Sequence, residues 1–465
     1  MDKGREELKM ELFLNTDEKT PKYIQLYEQL KEKIICHELT AGEKLPSIRY
    51  LAQQLGLSKH TIDAAYQQLL AEGYIQSVPR SGLYVLPIEG FPISEEMINT
   101  PSIIPQTNHP TIDFHYGSID LEKFPLNNWA KCMKLAMEEE LDILQYGAPK
   151  GDPFLREEIR KYVAQSRGIT CTAKQILICN GTQQSVSLII QLLNVMQQPV
   201  FFEDPGYNEV RNMFQKWQCD IIPVSIENDG IDMTTITNNT AKVVYVTPSH
   251  QFPLGGILPI QKRYDLLKWA EHQDSYIIED DYNSEFRYIG KPIPSLKSLD
   301  QFERVIYLGT FSKNLLPAIR CCYIILPDSL VEAAEAMLQQ QTQNCSPLLQ
   351  RAIAIFMRKG YFEKHVRRMK ITYQKKQQIL VQAIKEQLGD KVEIVGQQGG
   401  LHILLKLKNT NADTLIERAM KVGVKVYSPK KHWLNPDEVS YIILGFGGVN
   451  SKDIVEGITK LKSCF

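Results

Sequence analysis

A chain of 465 residues exceeds one ordinary domain, and 43% apolar residues can fill more than one large core. Lys and Arg (53) nearly balance Asp and Glu (54), so the net charge of −1 excludes an overall field that draws the protein to nucleic acid or membrane. The nine cysteines form no CxxC pair and no zinc spacing, so no metal is expected. The start, "MDKGREELKMELF", has no apolar core of signal-peptide length and no segment is long and apolar enough for a membrane helix, so a reducing cytoplasm is expected.

After an N-terminal extension (1–19), "PKYIQLYEQLKEKII" places Ile24, Tyr27, Leu30 and Ile34 at helical spacing behind Pro21. "PSIRYLAQQLG" predicts a short second helix capped by Ser47, with Ile48, Leu51, Ala52 and Leu55 inward and Gly56 as its stop. "LSKHTIDAAYQQLLAEG" predicts a third, capped by Ser58, with Ile62, Ala65, Tyr66 and Leu69 buried and Gly73 as its stop. Only a few residues join the last two helices, which is the helix-turn-helix arrangement. "YIQSVPRSGLYVL" then reads as strand, turn, strand: a hairpin wing with Arg80 at its tip.

In such a unit the third helix enters the major groove by its N-terminal residues. Those residues are Ser58, Lys59, His60 and Thr61, all able to hydrogen bond; Lys44, Ser47 and Arg49 flank them and Arg80, Ser81 and Gly82 form the wing tip. With acids and bases nearly balanced, one copy should bind double-stranded DNA weakly, two copies should be needed, and affinity should fall steeply with salt. The stretch "GEKLPSIRYLAQQLGLSKHTIDAAYQQLLAEGYIQSVPRSGLYV" resembles the winged-helix domain of GntR-type bacterial regulators, a likeness that covers nearly all of residues 20–86 and sets a DNA-binding domain at 20–87. The resemblance implies that Arg49, Thr61 and Arg80-Ser81-Gly82 contact DNA.

Residues 88–111, within "IEGFPISEEMINTPSIIPQTNHPTI", carry four prolines and no lasting period, and read as a linker. From 112 to 465, short β-branched runs ("KQILICN", "PVFFED", "AKVVYVTP", "SYIIEDD", "RVIYLGT") alternate with helical stretches. Buried parallel strands read this way, so an α/β domain with a mainly parallel sheet is expected. Adjacent Cys321 and Cys322 in "CCYIIL" read as core.

Ligands gather at the carboxyl ends of such strands. "QILIC" is followed by Gly181, Thr182 and Gln183 at the start of a helix, where free N–H groups suit a phosphate. "SYII" is followed by Glu279, Asp280, Asp281 and Tyr282, three carboxylates that repel unless a partner lies near. "VIYLG" is followed by Thr310, Ser312, Lys313 and, seven residues later, Arg320. Pyridoxal 5'-phosphate needs a lysine for its Schiff base, an acid for its pyridine nitrogen, a phosphate site and an aromatic neighbour, and "EDPGYNEV" offers Tyr207.

This half is similar to the fold-type I aminotransferases along nearly all of residues 112–460, and the whole chain resembles the MocR/GabR-type regulators, a winged helix fused to an aminotransferase-like domain. The resemblance implies that Lys313 carries the cofactor, that Asp280 (or Asp281, one position on) meets the pyridine nitrogen, and that Tyr282 meets its phenolic oxygen. It further implies that Tyr207 stacks on the ring, that Gly181, Thr182, Gln183, Thr310, Ser312 and Arg320 hold the phosphate, and that Tyr146 reaches a partner subunit's cofactor in a homodimer. Two departures stand out. Phe252 occupies the place of an asparagine in "TPSHQFPLGG", and Tyr441, Ile442 and Ile443 offer no arginine where aminotransferases hold a substrate carboxylate. Lys430, Lys431 and Arg211 are the remaining candidates for an effector's anionic group. The chain is therefore expected to be a regulator that senses a small amine or amino acid through Lys313, with weak or absent transaminase activity. A working aminotransferase with a fused DNA-binding module is the alternative, and a dimeriser without cofactor a third.

Overall fold

The computed structural model describes residues 12–14, 20–87, 112–139, 141–227, 230–290, 293–436 and 440–465. The linker expected at 88–111 and most of the expected extension lie outside the described residues. The chain divides into two compact units, 1–107 and 108–465.

The first unit holds helices α1 (Lys22–Ile35), α2 (Ile48–Leu55) and α3 (Lys59–Ala71) and the hairpin β1 (Ile75–Val78) and β2 (Gly82–Val85). Ser47 and Ser58 begin α2 and α3 as their sequence predicts, each accepting the backbone N–H three residues on, from Tyr50 (3.2 Å) and Thr61 (3.1 Å). Ile62, Ala65, Tyr66 and Leu69 are the buried face of α3, and the Tyr66 hydroxyl donates to the Pro46 carbonyl at 3.0 Å. On α1 the buried stripe is Leu26, Leu30 and Ile34, not the expected line through Ile24 and Tyr27. Tyr27 stays at the edge because its hydroxyl donates to Glu72 at 2.5 Å. The hairpin pairs Val78 with Gly82 around Arg80, whose φ of 63° is left-handed, and Lys44 bridges to Tyr84 along its side.

The second unit is built on an eight-stranded sheet of β4 (Ile176–Cys179), β5 (Pro199–Asp204), β6 (Asp220–Glu227), β7 (Gly230–Ile231), β8 (Val243–Val246), β9 (Tyr276–Asp281), β10 (Val305–Thr310) and β11 (Cys322–Ile325). The order is β4-β11-β10-β9-β8-β5-β6-β7. The five central strands from β10 to β6 are parallel, whereas β11 runs antiparallel to β4 and β10, and β7 antiparallel to β6. All five runs read as strands in the sequence are here, and "CCYIIL" supplies β11. The strands are apolar on both faces because both are covered: Ile278, Ile306 and Leu308 pack on one side with helix α4 (Gly181–Leu193), while Ile277, Val305 and Tyr307 pack on the other. Gly309 is fixed by packing, since a Cβ there would sit 2.2 Å from the Tyr323 ring.

A smaller sheet, β12 (Val392–Val395), β13 (His402–Leu407) and β15 (Tyr441–Gly445), packs against the long helix Tyr361–Gln387 and the helix Ser451–Lys462. The short pair β3 (Ile112–Asp113) and β14 (Val424–Lys425) ties the start of this unit to its C-terminal part. No helix among the described residues is long and apolar enough to cross a membrane.

Leu69 is fully buried in the winged unit. Leu69→Ala should destabilise that unit by roughly 2–5 kcal/mol, seen as faster hydrogen exchange of α1 and α3 amides with the β9 and β10 amides unchanged.

Candidate functional site

At the carboxyl end of the large sheet, consecutive strands surround a cavity of ≈ 310 Å³. Its lining draws Gly181, Thr182 and Gln183 from the turn after β4, Tyr207 from beyond β5, and Thr247 and Phe252 from beyond β8. Asp280 comes from β9 and Tyr282 and Asn283 from just after it, and Thr310, Ser312, Lys313, Pro317 and Arg320 from β10 and the following turn. The remaining wall is Cys322, Tyr116, Gly117 and His402.

Strand geometry sorts the three carboxylates of β9. Successive side chains point to opposite faces, so Glu279 and Asp281 share one face and Asp280 has the other. Glu279 accepts the Leu296 and Lys297 amides at 2.8 and 2.9 Å, at the start of the helix Leu296–Leu299. Asp281 pairs with Arg167 (Nε–Oδ2 2.7 Å) and accepts the Tyr307 hydroxyl at 2.6 Å. Asp280 alone lines the cavity, with one oxygen accepting the Tyr245 hydroxyl at 2.5 Å. Its removal from water pushes it up to about 7, against the pull of the Tyr245 hydrogen bond.

Lys313 lines the same cavity. Among the described residues its Nζ reaches only backbone carbonyls, Gly117 at 3.2 Å and Tyr116 at 3.5 Å. Low hydration lowers its pKa to about 8, so far more of it is a neutral amine near neutral pH than of an ordinary lysine. Among the described residues the buried hydroxyl of Tyr282 has no hydrogen-bond partner.

One end of the cavity is shaped for an anion. Gly181 has a φ of +79°, and a Cβ there would lie 2.6 Å from Arg320 Nη2, so the guanidinium rests in space that a side chain at 181 would enter. Helix α4 begins at Gly181 without a side-chain cap, leaving its first N–H groups open. Thr310 Oγ1 accepts from the Ser312 amide (3.1 Å) and the Cys322 thiol (3.1 Å), which frees its own hydrogen to donate.

The proposed effector anchors are not in this cavity. Lys430 pairs with Asp413 at 2.6 Å, and Lys431 with Glu209 at 2.6 Å. Arg211 is buried and spends its guanidinium on the carbonyls of Lys431 (2.7 Å), His432 (3.2 Å) and Trp433 (3.4 Å) and on Asn208 Oδ1 (3.1 Å). It holds the 431–433 turn against the helix Asn208–Lys216, a role that sequence spacing could not reveal because the carbonyls lie some 220 positions away. Tyr146 lies outside the cavity and is 90% exposed.

In the winged unit Lys44, Ser47, Arg49, Ser58, Lys59, His60 and Arg80 are exposed, and Thr61, Ser81 and Gly82 half-exposed. Ser58 and Thr61 share a 2.8 Å hydroxyl contact, and Ser81 meets the Tyr84 hydroxyl at 2.6 Å, so the candidate DNA residues begin from fixed positions.

Residues 22–85 match the family of bacterial regulatory proteins, gntR family, and residues 110–431 match aminotransferase class I and II. The HTH-type transcriptional regulator YdeL of Bacillus subtilis is 40% identical over 97% of this chain and 98% of its own. The probable rhizopine catabolism regulatory protein MocR of Rhizobium meliloti is 32% identical over 98% of this chain and 96% of its own. The chain belongs to the MocR-type transcriptional regulators of the GntR family. Like other members it joins a helix-turn-helix unit to an aminotransferase-like one. The large unit is similar to a kynurenine aminotransferase of Pyrococcus horikoshii solved with PMP, with a TM-score of 0.70 and 27% identity over 77% of this chain and 91% of that one.

Sequence reading missed Tyr116, Gly117, His402 and Tyr245. Tyr245 left a signal, as the hydroxyl-bearing residue inside the otherwise aliphatic run "VVYV". Tyr116 and His402 gave none, since they reach the cavity from distant segments. Arg167→Met would leave Asp281 charged and buried, which costs about 3–5 kcal/mol. The thermal midpoint of the large unit should drop by several degrees; an unchanged midpoint would contradict the ion pair's importance.

Proposed function

We propose that this MocR-type regulator binds pyridoxal 5'-phosphate at Lys313 and uses it to sense a small amine, with DNA binding by the winged unit as its output. The observation that carries this is that Lys313 and Asp280 line one cavity together with the Gly181–Arg320 cradle. The residues present fit the group: an unpartnered buried Tyr282 hydroxyl, a cradle that a Cβ would fill, and a carboxyl held near neutrality. When bound, the cofactor supplies an aldehyde carbon that holds an amine nitrogen in reversible covalent linkage.

Each side chain then has a task. Lys313 provides the nitrogen, its lowered pKa keeping the nucleophilic neutral form accessible. Asp280, steadied by Tyr245, holds or shares a proton with the ring nitrogen. Tyr207 flanks the ring and Tyr282 donates to its oxygen. Gly181, Thr182, Gln183, Thr310, Ser312 and Arg320 hold the phosphate, and Tyr146 of a second copy completes that site in a homodimer. In the winged unit Lys44, Ser47, Arg49, Ser58, Lys59, His60, Thr61, Arg80, Ser81 and Gly82 form the DNA face. The sensor reading is favoured over a working aminotransferase because Arg320 is the only arginine of this chain lining the cavity among the described residues, and it sits at the phosphate end.

Purified protein loaded with the cofactor should show a visible absorption band that Lys313→Ala lacks; equal bands in both would overturn the assignment. Cofactor uptake by the free protein should speed up as pH rises through about 8 and level off above it. The reason is that the neutral amine reacts and burial lowers the pKa at which it forms. A midpoint near the ordinary lysine value would contradict the reading. Arg49→Ala should weaken operator binding and make the slope of log affinity against log salt shallower by about 0.9, one phosphate contact; fluorescence anisotropy across a salt series measures both.

A further inference from the structure

The wall beside Lys313 specifies the chemistry of the amine. Strand β15 lies behind it, and its alternation divides the segment where a carboxylate-binding arginine was sought. Ile442 and Leu444 face the core of the smaller sheet, whereas Ile443, on the other face, packs in one apolar cluster with Leu404 and with Phe252, which lines the cavity. Ile443 is fully buried, pairs with Leu404 across β13, and exchanges backbone hydrogen bonds with Tyr427. In front of it, Phe252 is the hub of a ring cage. It meets Tyr207 at 5.4 Å, Tyr282 and Tyr116 at 6.0 Å, His402 at 5.4 Å and His432 edge-on at 4.7 Å. Tyr116 also supplies a backbone carbonyl to the Lys313 amine, so the cage begins where an incoming nitrogen must arrive.

Apart from Lys313 and Arg320, the described residues lining the cavity offer a carboxylate no cationic partner. Arg320 lies against Gly181 at the far end, Lys431 is closed on Glu209 at 2.6 Å, and Arg211 is consumed by backbone carbonyls. Burial holds His402 down at about 4 and His432 at about 3, so both rings are neutral. A second ammonium fares no better, because Asp280 is the only carboxylate in the cavity lining among the described residues and it already binds Tyr245. An apolar or aromatic body gains burial and ring contacts there, while an unpaired carboxylate would have to be desolvated without compensation.

We propose that the effector is a primary monoamine with an aromatic or branched apolar body and no carboxylate. This rests on the reading of Lys313 as the cofactor's anchor. In the exchange, a C=N bond forms between the cofactor's aldehyde carbon and the incoming nitrogen while the C=N bond to Lys313 Nζ breaks. The two hydrogens of the incoming amine pass to Nζ, and nothing is oxidised or reduced.

The test compares matched pairs on the full-length holoprotein by visible absorbance and calorimetry: 2-phenylethylamine against L-phenylalanine, and 3-methylbutylamine against L-leucine, with 1,4-diaminobutane as the dicationic control. Each monoamine should act at a concentration at least tenfold lower than its amino acid or the diamine. Equal or stronger response to the amino acids or to the diamine overturns the proposal, as does a holoprotein that responds to neither monoamine. A protein with no visible band before any amine is added instead overturns the reading of Lys313 and the proposal with it. Ile443→Arg should raise the response to the amino acids at least tenfold and lower that to the amines. Phe252→Leu, which keeps an apolar wall, should weaken 2-phenylethylamine more than 3-methylbutylamine.

Discussion

Three consecutive carboxylates at the end of a buried strand are the constraint around which the large unit is arranged. Side by side in a low-dielectric interior, Glu279, Asp280 and Asp281 would repel strongly, and each must find its own partner. The pleat solves half of the problem by sending Asp280 to one face and its neighbours to the other. Partners from across the fold solve the rest: two amides of a short helix for Glu279, Arg167 and Tyr307 for Asp281, and Tyr245 for Asp280. Only Asp280 keeps a free aspect toward open space, and that aspect is the cavity. The side chain facing a ligand is therefore set by strand register as much as by residue type.

The same sheet places the other groups. Strands running the same way end at one level, so the turns after β4, β9 and β10 converge, and Gly181, Asp280 and Lys313 line one cavity although Gly181 lies about a hundred residues or more before the other two. β11 runs back antiparallel between β4 and β10 and brings the Cys322 thiol to Thr310. A rigid sheet edge carries the charged end of the site, while the apolar wall comes from the smaller sheet and from the segment around Tyr116. This division suits a receptor: a fixed anchor on one side, and on the other a surface whose chemistry can change without disturbing the anchor.

Much of this was legible in the sequence where local signals are strong. The caps Ser47 and Ser58, the buried face of α3, the five apolar strand runs and the residues at their ends follow from short-range rules of capping, periodicity and strand length. What the sequence concealed depends on distant partners. Tyr27 sits at an apolar helical position but is drawn outward by Glu72. Arg211 and Lys431 read as free cations until the fold supplies three carbonyls and Glu209. The absence of an arginine in "SYIIL" was visible, but which residue packs against the cavity-lining Phe252 needed the register of β15 against β13. The choice between Asp280 and Asp281, open in the sequence, became a matter of strand face.

The central claim is that chemistry at Lys313 changes what the winged unit does on DNA. The most direct measurement is the affinity of full-length cofactor-loaded protein for DNA flanking its own gene, by fluorescence anisotropy, with and without a saturating amine, in wild type and Lys313→Ala. A coupling of about 1–3 kcal/mol corresponds to a 5–150-fold change. The account predicts a change of at least fivefold in the wild type and none in Lys313→Ala; an equal change in both proteins, or no change in the wild type with an amine that alters its absorbance, would contradict it.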